Sequence, residues 1–429
     1  MTTLRNLNRV GLFHSIRLFY PLLWLVAAIT ARAQTAANDP PPAESDASSP
    51  SGPGFDDKLT GGWGGERQRL ADAGISPNAQ LTLEGFANFK GGVDTGVVGA
   101  STFDLNVAVD TKPTLGWKGG KFYVGLEDHA GRNPSAALTG DLQTFDRYNS
   151  RPYFEIFELW YQQELFAGKL RMKIGKIDAN TEFSVIDDGL TFLNASTQVT
   201  PTITPFPTTP SPMPGADVFL MPVNFWSAGF MASYANRSDT FGAFTGHPWA
   251  GQPTQGGTLF LGETGFKWKD APFFGKDGNI KGGIWYHTGT FVRLEGGQQG
   301  GSSGFYGVFN QTLWQPAGEL EDGRGLRGFV EAGHTRGSVS VIDWNTSGGL
   351  AWTGLLASRP DDVLGFSANY AHLSRHAGLP HSYELALESL YQATLWKWGT
   401  LMPDVQYIIH PGGQYDNALV ATLNFTVQF

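Results

Sequence analysis

Cysteine is absent from the 429 residues, which excludes disulfide bridges, thiolate metal sites and cysteine nucleophiles together. Charge is scarce, at 16% of the residues, against 56 Gly, 13 Trp, 13 Tyr and 30 Phe. That balance suits one large β-structure closed by many turns better than two or three globular domains. No apolar run reaches the ~20 residues that a membrane-spanning helix needs; the longest is Leu18 to Ile29. If this chain crosses a membrane, strands must cross it. A propeller's repeat of ~40 residues is also missing.

Signs of chemistry are as sparse. The nine His show no metal-ligand spacing such as H-E-x-x-H. No phosphate loop or dinucleotide fingerprint leads from a strand into a helix. Gly300-Gly301-Ser302-Ser303-Gly304 matches G-x-S-x-G. It reads as part of a low-complexity loop, 296 to 304, without the strand and helix that make a nucleophile elbow. Asp187-Asp188 reads as a solvated turn. The expectation is a protein that is not an enzyme and carries no metal or cofactor.

What is present begins with an export pattern. Arg5, Arg9 and Arg17, the run Leu18 to Ile29, and Ala31-Arg32-Ala33 form the basic, apolar and small-residue order of a signal peptide over residues 1–33. Its loss removes four arginines and no acid, taking the formal charge from −9 to −13, and so acidic a chain argues against nucleic acid as a partner. Residues 34–57, rich in Pro, Ala, Ser and acids, have little to bury and read as a disordered tether. Glu66 to Ala73 reads as a short helix closed by Gly74.

From Gln80 onward the text is strand, turn, strand. Residues 80–90, 103–109 and 121–127 suit strands, and residues 153–163 and 170–177 suit a hairpin about Ala167-Gly168-Lys169. Its second strand sets Leu170, Met172 and Ile174 against Arg171 and Lys173. Residues 383–395 set Tyr383, Leu385, Leu387, Tyr391 and Leu395 against Glu384, Glu388 and Gln392. Residues 404–410 set Val405, Tyr407 and Ile409 against Asp404 and Gln406. The last strand is apolar at Leu419, Ala421, Leu423, Phe425, Val427 and Phe429, with Thr422, Asn424, Thr426 and Gln428 between them. A strand of period two has one greasy and one wet face. A soluble sandwich would bury the greasy face, whereas an outer-membrane barrel turns it to lipid and the wet face to a lumen.

Acids opposite Leu and Tyr, and tryptophans flanking the short turn Trp396-Lys397-Trp398-Gly399, favour the barrel. Residues 58–429, at ~20 to 25 per strand and connection, predict a transmembrane antiparallel β-barrel of about 16 strands behind one short N-terminal helix. The last strand should pair with the first near Gln80 to Lys90 and leave no edge. Seven prolines between residues 191 and 223 forbid a central strand there. The segment is a long loop, either a surface excursion or folded inward to narrow the lumen.

Several stretches together resemble the carbohydrate-selective outer-membrane porin family of the OprB type. They are Leu59-Thr60-Gly61-Gly62-Trp63-Gly64-Gly65-Glu66-Arg67; Ile174-Gly175-Lys176-Ile177-Asp178-Ala179-Asn180 with Phe183; Arg359-Pro360-Asp361-Asp362 leading to Gly365; and Pro403-Asp404-Val405-Gln406-Tyr407-Ile408 with Pro411-Gly412-Gly413. The resemblance covers residues 59–429 and implies a sixteen-stranded barrel in the outer membrane of a Gram-negative bacterium that passes monosaccharides such as glucose down their gradient. Where that family more often has Asp, this chain has Gly62. A general diffusion pore and an adhesive barrel with a plugged lumen are the rival readings.

Passage of a sugar needs weak, repeated binding by lumen side chains. The candidates are Arg171, Lys173, Asp178, Arg359, Asp361, Glu384, Glu388, Asp404 and Gln406. The partners expected are small sugars, outer-membrane lipid, and the outer-membrane insertion machinery through the terminal aromatic Phe429, with the barrel a monomer or a homotrimer.

Overall fold

The computed structural model describes residues 55–148, 150–203, 205–235, 253–269, 276–316 and 323–429. The expected signal peptide (1–33) and nearly all of the expected tether (34–57) lie outside the described residues. Phe55–Asp57, at the tether's end, form a single 3-10 turn.

Strands follow one another along the described chain: β1 Ile75–Lys90, β2 Gly96–Asp110, β3 Gly120–Gly131, β4 Tyr153–Leu165, β5 Leu170–Ile177, β6 Met213–Val223, β7 Trp226–Tyr234, β8 Pro253–Gln255, β9 Thr258–Trp268, β10 Gly278–Val292, β11 Gln298–Trp314, β12 Gly325–Thr335, β13 Ile342–Thr353, β14 Val363–Leu373, β15 Tyr383–Trp396, β16 Gly399–Ile409 and β17 Ala418–Gln428. Each pairs antiparallel with the next, β7 pairing directly with β9. The three-residue β8 touches only the end of β10, at Thr290 and Phe291. The other sixteen of the seventeen therefore form the ring, which closes where β1 meets β17 with Gln80 opposite Gln428 and Ala87 opposite Ala421. The expected closure by the last strand is what the chain does, and it leaves no unpaired edge in the ring.

The period-two patterns resolve into an inner and an outer surface. Met172, Ile174, Leu387, Val405 and Leu423 are exposed outward, while Lys173, Glu384, Glu388, Asp404, Gln406, Thr422 and Asn424 are buried within. One end of the barrel carries tight connections, such as 166–169, 224–225 and 397–398; we call it the turn end. Exposed aromatics ring it: Trp117, Phe166, Phe225, Trp314 and Trp396. Trp396 stacks on Trp398 at 4.6 Å. Amphipathic rings of this kind sit where hydrocarbon meets headgroups. The segment before the barrel lies at this end: the Leu59 amide donates to the Gln428 carbonyl at 2.8 Å, and α1, Glu66–Asp72, packs beside β1.

At the opposite end two long connections do not stay outside. The Pro-rich segment 178–212 folds into the barrel, where Phe183, Ile186, Phe192 and Leu193 lose all exposure against Phe219, Leu261, Trp285, Phe329 and Leu390 of the wall. The connection 132–152 does the same with Leu138 and Phe145 against Phe86, Ala386, Ile408, Ala418 and Val420. Val420 thus breaks the polar inner face of the last strand because a loop, not water, covers it. G-x-S-x-G is also resolved differently from the sequence reading. Residues 300–304 lie inside strand β11 rather than in a loop, and the strand runs on to Trp314 with no helix after the serine to make the elbow that exposes a nucleophile.

Candidate functional site in the barrel lumen

A loop enters a lumen only if its backbone polar groups find partners there, since a buried unpaired N–H costs about 1–3 kcal/mol. Strand β15 supplies more of those partners than any other strand. Glu384 accepts the amides of Leu142 at 2.9 Å, Gln143 at 2.9 Å and Gly412 at 2.6 Å. Four residues on, and so on the same face, Glu388 accepts the amides of Leu193 at 2.6 Å and Asn194 at 3.4 Å and the hydroxyl of Ser367 at 3.0 Å. Gln406 on β16 ties the two loops to each other, donating to the Phe145 carbonyl at 2.7 Å and accepting from Asn194 Nδ2 at 3.1 Å. Asp404 accepts from Gln406 at 3.1 Å.

The rest of the ring holds the remaining turns of segment 178–212. Ser184 donates its amide to Glu263 of β9 at 2.8 Å, Asp188 to Asn310 of β11 at 3.1 Å, and Thr200 its hydroxyl to Asn345 of β13 at 2.7 Å. On β5, Arg171 meets the loop's Glu182 at 2.5 Å and Asp217 at 3.4 Å, and Lys173 also pairs with Glu182. Arg171 lies 4.4 Å from the ring of Phe219 and Lys173 4.3 Å from that of Trp160. Glycine makes room where the approach is closest. A Cβ on Gly365 would stand 3.0 Å from the Phe192 ring. On loop 132–152, burial above all, then the charge and hydrogen bond of Glu84, holds the Asp146 carboxyl well above the usual carboxylate range.

Between the two loops remains a cavity of about 590 Å³, within the ~300–1,000 Å³ of small-molecule sites. Gln143, Arg147, Asp178, Asn180, Ser196 and Gln198 supply much of its polar lining, with Val185, Leu190 and Phe206 among the apolar groups. Among the described residues its only charges are Arg147 and Asp178. Arg147 donates to the Leu190 carbonyl at 3.2 Å and lies 5.1 Å from the Tyr148 ring. Asp178 accepts the Asn180 amide at 2.9 Å. Such a wall offers hydroxyl-sized donors and acceptors in quantity and few charges.

Comparison with known proteins agrees with this architecture. The carbohydrate-selective porin family OprB matches residues 96–429. The chain belongs to that family. It is 23% identical to porin B of Pseudomonas aeruginosa, across 86% of this chain and 91% of the relative. The high-pH structure of Pseudomonas putida OprB superposes with a TM-score of 0.77 at 21% identity, covering 88% of this chain and 99% of that one. The outer-membrane channel DcaP of Acinetobacter baumannii gives 0.53 at 7% identity, over 83% and 97% of the two chains. This OprB-family porin is a bacterial outer-membrane barrel of the carbohydrate-selective class, a transport channel and not an enzyme.

The nine candidate residues divide three ways in this porin. Arg171, Lys173, Glu384, Glu388 and Gln406 hold the inward loops, and Asp404 supports Gln406. Asp178 lines the cavity. Arg359 and Asp361, expected on the lumen wall, stand instead on the turn 354–362, where Arg359 pairs with Asp362 at 2.8 Å and Asp361 is exposed. The reason is local: the Leu356–Arg359 bridge and that ion pair close the turn on itself. Burial alone would raise the Asp362 carboxyl, but Arg359, Tyr391 and the Thr394 amide hold it below the usual range.

Sequence reasoning passed over segment 132–152 and with it Arg147. A signal existed, since this stretch of Asn133-Pro134, Gly140 and Asp141 lacks any period-two pattern between two strands that have one. Asp187-Asp188, read as a solvated turn, do open a 3-10 turn, Asp187–Gly189, in which Asp187 stays exposed and pairs with Lys281 at 3.0 Å while Asp188 meets Arg327 at 3.5 Å.

Proposed function

We propose that this channel passes small neutral sugars, monosaccharides such as glucose, passively into the periplasm of a Gram-negative cell. The observation that carries the reading is the cavity between the loops, with hydroxyls and amides in its wall and only Arg147 and Asp178 as charged groups of its described lining. A sugar leaving bulk water exchanges water hydrogen bonds for wall hydrogen bonds at little net cost. Many weak, interchangeable partners let it enter without holding it. A charged solute meets few charged groups in this lining to offset the hydration it loses.

Liposome swelling with glucose, sucrose and an amino acid of similar size tests this. Glucose is expected to enter fastest, and rates that follow size alone would make the protein a general diffusion pore. Arg147→Ala should lower glucose entry by roughly fivefold, about the ~1 kcal/mol of one hydrogen bond. With one cation fewer in the lining, the reversal potential in a salt gradient should move toward cation preference; an unchanged potential would show that Arg147 does not face the permeating path. Export through residues 1–33 and recognition of Phe429 by the insertion machinery complete the reading, and deletion of Phe429 should lower membrane levels more than conductance.

A further inference from the structure

Segment 184–190 divides the lumen into two chambers. Val185 and Leu190 belong to the cavity between the loops, whereas Asp187 and Asp188 project into a second one of about 580 Å³ near the turn end. That second chamber is lined by Asp187, Asp188, Lys267, Asn279, Asn310 and Arg327 together with the backbone about Gly278. It is distinct in chemistry as well as in place. The first cavity has two charged lining residues; this one alternates carboxylates, amides and cations within hydrogen-bond reach of one another.

Asn279 Nδ2 donates to Asp187 Oδ2 at 3.0 Å, and Asn310 Nδ2 donates to Asn279 Oδ1 at 3.1 Å. Lys281 Nζ stands 3.0 Å from Asp187 and donates to the Val185 carbonyl at 2.8 Å. Arg327 Nη1 lies 3.5 Å from Asp188 Oδ1. These groups are orientated by one another and yet open, since the side chains of Arg327 and Asp187 keep 45% and 46% of their exposure. A carboxylate has about four lone-pair sites and a guanidinium five donors in a fixed fork, so contacts of this number leave capacity for a solute. Planar acceptors and donors side by side match a vicinal diol, in which each hydroxyl both gives and takes a hydrogen bond.

The geometry points to a second carbohydrate-binding station on the turn-end side of segment 184–190, built from Asp187, Asn279, Asn310 and Arg327, at which a monosaccharide is held between leaving the inter-loop cavity and entering bulk water at the turn end. The station rests on the sugar-channel reading and deepens it. It adds function to Asp187-Asp188: the loop that folds into the path also carries the carboxylate of the next site. Two stations of moderate affinity let a solute leave the inter-loop cavity for a prepared partner.

The test is single-channel recording of the full porin in a planar bilayer with glucose added to one side at a time. Current interruptions are expected from both sides, with dwell times that differ between them. Asn279→Ala with Arg327→Gln should shorten dwell for glucose added at the turn end about tenfold, the effect of ~1.4 kcal/mol. The dwell from the loop end should stay as it is. Equal shortening from both sides, or none from the turn end, would overturn the station. Interruptions from the loop end alone in the unaltered protein would also overturn it while leaving the sugar channel standing. Their absence from both sides would remove both readings. Asn279→Ala alone carries the same comparison if the double variant fails to insert.

Discussion

Replacing Glu388 with alanine is expected to widen the channel and blunt its size limit. The substitution removes the acceptor for the Leu193 and Asn194 amides and for the Ser367 hydroxyl. Two buried N–H groups left unpaired cost about 1–3 kcal/mol each, so docking of segment 192–194 weakens by roughly 2–6 kcal/mol. A change of ~3 kcal/mol alone alters the released fraction about a hundredfold. Asn194 Nδ2 on Gln406, Ser184 on Glu263 and Thr200 on Asn345 still hold the flanks, so the expected signature is a fluctuating, higher conductance with faster sucrose entry in swelling assays. Glu388→Gln separates the causes: its amide oxygen still accepts, and most of the restriction should survive. Unaltered conductance and sucrose exclusion in Glu388→Ala would show that the packing of Phe192 and Leu193 alone holds the loop.

A methyl group at residue 189 should act more strongly still. The Cβ of Gly189→Ala would stand 1.8 Å from the Thr197 carbonyl oxygen and 2.9 Å from Ile186 Cγ2. No rotamer relieves a clash with backbone, so the turn 186–189 must separate from 195–197, at a cost above the ~1–3 kcal/mol usual for overpacking. The whole descent of segment 178–212 depends on that turn, because the Gly189 amide donates to Ile186 at 2.9 Å and the Phe192 amide to Gly189 at 3.1 Å. Conductance is expected to exceed that of Glu388→Ala, with the ring of strands retained. Resistance of the unheated barrel to detergent on a gel checks the latter. A channel as narrow as the unaltered one would mean that the loop tolerates a shape other than the one seen.

Some of this molecule is written locally. Leu170 to Ile177 alternates Leu, Met and Ile with Arg and Lys, and β5 turns Met172 and Ile174 outward and Lys173 inward as that pattern requires. Residues 153–163 and 170–177 pair as the hairpin their spacing predicts. The fold is legible because a strand's two faces are fixed by parity and the outward face has one solvent. The inner face is not, because it meets water, another wall residue or an inward loop depending on where in the ring it lies. Ala386, Ile408, Ala418 and Val420 are apolar on that face since Phe145 covers them.

The lumen charges show the same division. Glu384 and Glu388 were legible as inward carboxylates, but their partners are Leu142 and Leu193, which stand 242 and 195 positions away in the chain. Parity within β15 says nothing of groups so distant. Arg359 failed in the other direction, since its turn closes through a contact three residues on and leaves it outside the ring. The sequence by itself determined a closed antiparallel barrel of this family, because period-two alternation, the lack of any spanning helix and the family's stretches are properties of neighbouring residues. Only the tertiary structure decided which of the inward side chains meet a solute and which hold the loops that shape its path, because burial inside a barrel depends on long-range contacts that no local pattern encodes.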